Sequence, residues 1–270
     1  MSQLDAALIR RLLATESSAQ LDGLELFDSI ASTNSYLLAQ SPPRRERFRV
    51  AIADHQTSGR GRHDRRWVSP PGAGLCLSVA YTFANQRNDL PSLTLAIGVG
   101  IIAALRELEV AGAGLKWPND IVALEGKLGG ILTEIQPRSG APVTVVTGIG
   151  LNIDFSGGVQ DGIESDWGRP PVDLRSVTTK LPQRECVAAT IINELHAVMG
   201  KFAAHGLPGF AEEWAANDWL RGREVTVDLP DRQINGIAAG IDKDGALLVD
   251  TGTETTRIVS GSIVMAGLPA

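Results

Sequence analysis

The chain has 270 residues, 43% of them hydrophobic and 21% charged, and its formal net charge is −6. That balance describes a globular protein able to bury a sizeable core, and its acidity counts against non-specific binding of nucleic acid or membrane by the whole molecule. Cys76 and Cys186 form no CxxC pair and the four histidines show no metal-ligand spacing, which argues against a disulfide scaffold or zinc site and fits a reducing compartment.

In chain order, Leu4, Leu8 and Leu12 recur at i, i+4 and i+8 and predict a short amphipathic helix over 4–14. The same stretch carries Asp5 and no long apolar core, so it is not a secretory signal, and the protein is expected in the cytoplasm. Leu24 to Ile30 reads as a strand, Ser32-Thr33-Asn34 as a helix start, and 35–40 as its continuation. Arg49 to Asp54 and Leu75 to Thr82 have buried-strand patterns, separated by a loop over 55–74 rich in Gly, Arg, Ser and Pro. A core helix over 92–109 follows. The apolar stretch Leu90 to Leu105 within this region contains Pro91 and two glycines and is too short for a bilayer span.

Three strand-like segments come next, Gly114–Trp117, Gly130–Gln136 and Val143–Ile153, and then a surface excursion over 155–172. Arg184 to His205 is a helix with Val187, Ile191, Leu195, Val198 and Phe202 on one stripe, and a shorter helix begins near Pro208. After Leu220 the runs Val225–Leu229, Ile234–Ile241, Ala246–Asp250 and Arg257–Met265 are short and β-like, with a turn at Asp242-Lys243-Asp244-Gly245. The pattern predicts an α+β domain over 1–220 followed by a small β-barrel over 221–270.

Four segments carry chemistry. Between Gly59 and Trp67 stand four arginines and two glycines. Glycines let backbone N–H groups approach a ligand, and guanidinium groups bind phosphate or carboxylate in bidentate fashion. Read alone, the segment is equally a solvated arginine loop or an RNA contact. Lys116-Trp117-Pro118-Asn119-Asp120 precedes Lys127-Leu128-Gly129-Gly130. Pro118 ends a strand, which places Asn119 and Asp120 in a connection. A turn at Glu125-Gly126 brings Lys127 back towards it. Two lysines, an Asn and an Asp so close together suit phosphates, a metal ion or proton transfer, and equally an ordinary hairpin. Ser32-Thr33-Asn34 serves either as a helix cap or as a polar head-group contact. Gly148-Ile149-Gly150-Leu151-Asn152 ends a strand, where glycines either make room for a ligand or form a bulge.

Taken together, in this order and spacing, these segments resemble the biotin protein ligases. The resemblance runs from about residue 25 to the C-terminus and rests mainly on Gly59-Arg60-Gly61-Arg62 and Lys116-Trp117-Pro118-Asn119-Asp120. It implies a catalytic domain like that of class II aminoacyl-tRNA synthetases, with helices on one face of a mixed sheet, and a C-terminal SH3-like barrel. It further implies biotin as substrate, ATP with Mg2+, and the biotin carboxyl carrier protein of acetyl-CoA carboxylase as partner, with no nucleic acid and no membrane involved. Monomer and weak homodimer both stay open.

On the family pattern, Ser32, Thr33, Asn34, Gln56, Gly59, Arg60, Arg62, Lys127, Gly148 and Gly150 are the biotin-binding residues. Arg62, Arg65, Trp67, Lys116, Asn119, Lys127 and Asn152 face ATP. Lys127, Arg62, Asp120 and Lys116 are the catalytic set, with Lys127 bridging the biotin carboxylate and the α-phosphate and Asp120 accepting a proton from the carrier lysine. No protein ligands for a metal are assigned. Two departures matter: Asp64 stands where the family often has Gly, and the 31 residues before Ser32 are too few for the DNA-binding domain of repressor-type members. A lipoate–protein ligase, a nucleic-acid-binding protein and a non-catalytic biotin sensor are the competing readings.

Overall fold

The computed structural model describes residues 4–63, 65–136, 142–156 and 169–265. The predicted excursion over 155–172 falls mostly outside them, and so does Asp64. Helix α1 (Ala6–Leu12) starts at Asp5, whose carboxylate accepts from the amides of Ala7 (2.7 Å) and Leu8 (3.2 Å), an N-cap that satisfies otherwise orphaned donors. It stops at an extended Leu13, and a second helix, α2 (Thr15–Gln20), follows. The buried positions of this first segment are Ile9 and Leu13, while Leu12 is exposed. Of the Leu4/Leu8/Leu12 stripe, Leu4 packs against the core, but the buried side of the helix runs through Ile9 and Leu13.

A seven-stranded mixed sheet forms the body, in the order β1-β2-β3-β7-β6-β5-β4. Its strands are β1 (Leu21–Ile30), β2 (Phe48–Gln56), β3 (Gly74–Phe83), β4 (Gly114–Lys116), β5 (Asp120–Ala123), β6 (Gly126–Ile135) and β7 (Val143–Asn152). The β1–β2 pair is parallel and the other neighbours are antiparallel. Period-2 alternation divides β3 cleanly: Leu75, Leu77, Val79, Tyr81 and Phe83 enter the main core, while Ser78 and Ala80 face the other way. The main core is covered by α4 (Leu93–Glu107) and α6 (Arg184–His205). Residues Leu90–Glu107 are long and apolar enough to cross a bilayer, so the expectation that this stretch is too short does not hold by length. Its composition is accounted for by burial between the sheet and α6.

The opposite face is not bare, contrary to the expectation of helices on one side. Parallel strands need a crossover, and the β1–β2 crossover contains α3 (Thr33–Ala39), whose Leu37 packs on Ala51, Ala80 and Val146. A further departure concerns Asp120. It opens a strand rather than lying in a connection, because it pairs with Lys116 on one side and Gly130 on the other; Leu124 and Glu125, at positive φ (46° and 62°), then turn β5 straight into β6.

Helices α5 (Leu174–Val177) and α7 (Ala211–Asn217) flank α6 in sequence. Beyond them lies a five-stranded antiparallel sheet of β8 (Glu224–Asp228), β9 (Gln233–Ile241), β10 (Leu247–Asp250), β11 (Thr255–Ile258) and β12 (Ser262–Met265), in the order β11-β10-β9-β8-β12. The predicted run Arg257–Met265 is two strands at opposite edges, each burying one isoleucine, Ile258 or Ile263. This sheet is fastened to the larger one. The Trp117 indole Nε1 donates to the carbonyl of Gly245 (3.0 Å), and Arg223 donates from both Nη atoms to the Glu125 carboxylate (2.9 Å each).

Helices α4 and α6 meet at Gly100, where an added Cβ would lie 2.5 Å from Val198 Cγ2. A β-branched residue in a helix has little rotamer freedom to yield. Gly100→Val is therefore expected to cost about 1–3 kcal/mol, read as a lower urea midpoint at unchanged slope, and Val198→Ala in the same chain should recover most of the loss.

Candidate active site

Two rows of residues cross the sheet on the α3 face. Ser78, Gly148 and Leu132 are register partners in one row, and Cys76, Gly150, Gly130, Asp120 and Lys116 are partners in the next. Two residues along a strand separate the rows by about 6.6 Å. Glycine occupies the middle of both rows, and the space above is claimed by side chains from elsewhere. A Cβ on Gly148 would overlap the Asn34 amide, and one on Gly150 would overlap the Trp67 ring. The cleft over these rows is partly open to solvent.

The first row ends in uncharged polar groups. Ser32 caps α3, its Oγ accepting from the Ser35 amide (3.3 Å). The Thr33 amide donates to Gln56 Oε1 (2.7 Å), Thr33 Oγ1 lies 2.6 Å from Ser78 Oγ, and Ser78 Oγ donates to Asn34 Oδ1 (2.6 Å). These side chains are almost fully buried apart from Gln56.

The second row is cationic. Asp120, buried, pairs with Lys127 Nζ at 2.8 Å and Lys116 Nζ at 3.6 Å. Burial pushes its carboxyl up, and Lys127 and Lys116 together hold it below its ordinary value. Arg62 reaches the same corner, donating to Asn119 Oδ1 (3.4 Å), while Asn119 Nδ2 donates to the Ile131 carbonyl (2.9 Å). Burial lowers the Arg62 pKa, and the nearby Asp120 opposes that. Burial also pushes the Cys76 thiol up to about 11, so this cysteine is no nucleophile. Three cations against one carboxylate leave the corner positive, a setting for phosphate and carboxylate.

The Gly/Arg segment is a small hairpin over the cleft. The Trp67 amide donates to the Gly59 carbonyl (3.0 Å), Arg60 bridges to Arg66, and the Gly61 amide donates to the Arg65 carbonyl (2.7 Å). One side is tied to β6 by an ion pair, a single guanidinium nitrogen, Arg60 Nη2, donating to Glu134 Oε1 (2.8 Å) and Oε2 (2.7 Å). The other reaches the small sheet, with Arg65 Nη2 donating to Ser262 Oγ (3.2 Å).

Comparison with known proteins settles the family. Residues 26–152 match the model of the biotin/lipoate A/B protein ligase family, and residues 221–265 match that of the biotin protein ligase C-terminal domain. The chain is 34% identical over 251 residues to the biotin–[acetyl-CoA-carboxylase] ligase of Mycobacterium tuberculosis, covering 89% of this chain and 88% of that one. It is 34% identical over 244 residues to the bifunctional ligase/repressor BirA of Escherichia coli, covering 90% and 74%. The chain belongs to the biotin protein ligase family. Among solved structures, the Aquifex aeolicus biotin protein ligase in complex with biotin and ATP superposes with a TM-score of 0.72 at 27% identity, covering 90% of this chain and 97% of that one.

The ligase gathers most of its sequence-predicted residues around one cleft: Ser32, Thr33, Asn34, Gln56, Arg60, Arg62, Arg65, Trp67, Lys116, Asn119, Asp120, Lys127, Gly148 and Gly150 all line it. Two do not. Gly59 lies under the hairpin, where a side chain would strike the Trp67 carbonyl. The Asn152 amide is occupied in holding the Lys127 (3.1 Å) and Val172 (2.9 Å) carbonyls. Sequence reasoning missed Ser78, Glu134 and the lip made by Gly261, Ser262 and Ile263. Ser78 left a signal, as a polar residue on a strand otherwise apolar from Leu75 to Ala80. The lip left none, since nothing in its residues reports that β12 folds against the cleft.

The Asp120 ion pairs set a pH dependence. With a folded pKa below the ordinary 3.8, their stabilisation is complete above the unfolded value and is lost as pH falls through the folded one. Asp120→Asn should lower stability at neutral pH by up to about 3 kcal/mol. Urea unfolding should show the gap to wild type shrinking as pH is taken below about 3.8.

Proposed function

We propose that this chain uses ATP to convert biotin into biotinyl-5′-adenylate and then transfers the biotinyl group to a lysine of the biotin carboxyl carrier protein of acetyl-CoA carboxylase. The observation that carries the reading is the polarity of the cleft. A buried, uncharged polar end (Thr33, Asn34, Ser78) suits the neutral ring system of biotin, and a cationic corner one row away suits its carboxylate and the nucleotide phosphates. The glycine floor lets the Asn34 amide and the Trp67 ring lie directly against the backbone between the two ends.

In the first step a biotin carboxylate oxygen bonds to the α-phosphorus of ATP, and the bond to the bridging oxygen breaks, releasing pyrophosphate. Both reactants are anions. Lys127, Arg62 and Lys116 offset their repulsion, and Asp120 fixes the ammonium groups so that little reorganisation is needed as charge develops. The Trp67-bearing hairpin covers the mixed anhydride and limits its hydrolysis. Magnesium belongs to this reading as the counter-ion of the nucleotide's phosphates. Among the described residues there is no cluster of three metal-ligating side chains, so the phosphate oxygens of the nucleotide would supply most of the metal's ligands.

In the second step the carrier's lysine nitrogen bonds to the acyl carbon and AMP leaves with the electron pair. A lysine with a pKa of about 10.4 is neutral in only about one molecule per thousand at physiological pH. Asp120 orients the amine and passes its proton towards solvent. Because the two lysines hold this carboxyl low, positioning is its larger contribution.

The test is pyrophosphate release from Mg·ATP with and without biotin, followed by labelling of a carrier domain. Release should require biotin, and excess lipoate should leave it unchanged. In Lys127→Ala, kcat/KM for biotin should fall by about 10²–10³-fold, the loss typical of removing one charge-stabilising group. Biotin binding without pyrophosphate release would instead mark a sensor, and the absence of both binding and release would refute the reading.

A further inference from the structure

Glu134 has no place in the mechanism above, yet it terminates a hydrogen-bond chain that runs through the polar end of the cleft. A carboxylate only accepts. Its Oε2 therefore requires the amide nitrogen of Asn34, which stands 2.8 Å away and also donates to the Leu132 carbonyl (3.1 Å). Both Asn34 protons are thereby spoken for, and Asn34 Oδ1 is turned towards Ser78. It accepts the single Ser78 proton (2.6 Å), so Ser78 Oγ must accept in turn from Thr33 Oγ1 (2.6 Å). Thr33 Oγ1 also lies 3.1 Å from Gln56 Oε1. It has one proton for two acceptors, and Gln56 Oε1 is already served by the Thr33 amide at 2.7 Å.

Every donor in the chain points towards Glu134, and the far end, the Thr33 hydroxyl, has lone pairs to offer and no spare proton. We propose that Glu134 is a positioning residue that sets this direction, making the polar end of the cleft an acceptor for a ring N–H of biotin. This rests on biotin being the ligand. The Arg60 pair holds the Glu134 carboxylate in place at the same time (2.7 and 2.8 Å). One side chain thus joins the closing hairpin to the internal hydrogen bonds of the floor. The reading accounts for an acidic residue on the phase of β6 that otherwise presents Gly130 and Leu132 to the cleft.

Glu134→Gln tests it, because an amide fits the same space but can turn a donor towards Asn34, leaving the Leu132 carbonyl as the one fixed acceptor that still holds the Asn34 amide in this orientation. Biotin binding is measured calorimetrically for wild type and variant, alongside two analogues methylated at one or the other ring nitrogen, with a melting curve to show that the variant is folded. Biotin affinity should fall about tenfold, within the range for losing a hydrogen bond to a charged group. The penalty for methylating the nitrogen that contacts Thr33 should shrink by a similar factor. Parallel weakening of biotin and both analogues, with the penalty unchanged, would reduce Glu134 to a structural role and overturn the proposal, as would unchanged binding of all three. Failure of wild type to bind biotin at all would instead defeat the functional reading itself.

Discussion

One buried carboxylate shared by two lysines organises this molecule. Asp120 sits between Lys127 and Lys116, and each of the three comes from a different strand of the β4–β5–β6 meander. Burying an ion costs several kcal/mol unless partners compensate, so the three groups fix one another's rotamers and with them the register of the short strands. The arithmetic of charge does not close, however. With Arg62 in the same corner the site carries more positive than negative charge, and it is built to be completed by an anion. Any phosphate- or carboxylate-bearing ligand will therefore stabilise the folded chain as well as occupy it.

The parts of this arrangement visible in the sequence were those marked by unusual local composition. Arginines alternating with glycines, a proline behind a tryptophan, and glycines inside a strand each break the ordinary texture of a globular chain, and they led directly to the cleft. The parts that stayed hidden depend on which residues are brought together. Asp120 reads as a loop residue because Pro118 precedes it, yet pairing with Lys116 and Gly130 starts β5 at that position. Glu134 looks like a solvent-facing residue on an alternating strand until Arg60 and Asn34 arrive from elsewhere. In α1, periodicity found the helix but the tertiary partner chose a different face, Ile9 and Leu13.

The strands of the C-terminal sheet were legible, and its attachment to the site was not. Through Gly245 it receives the Trp117 indole, through Arg223 it grips Glu125, and through Ser262 it touches the hairpin. Two of these contacts, at Trp117 and Glu125, fall inside the Lys116–Lys127 segment, one near each end. A small sheet that could have been an independent appendage instead braces the cationic corner and supplies one wall of the cleft.

The cleft floor is largely backbone, because glycine occupies the centre of both rows. Peptide groups have the same dimensions whatever the surrounding sequence, so this surface offers little for selection or design to edit beyond adding a methyl group that would block it. The ceiling is the reverse: α3 and the hairpin contribute side chains that can be exchanged one at a time. Adaptation of this scaffold to a different acid would have to be written from above, leaving the floor as a fixed template.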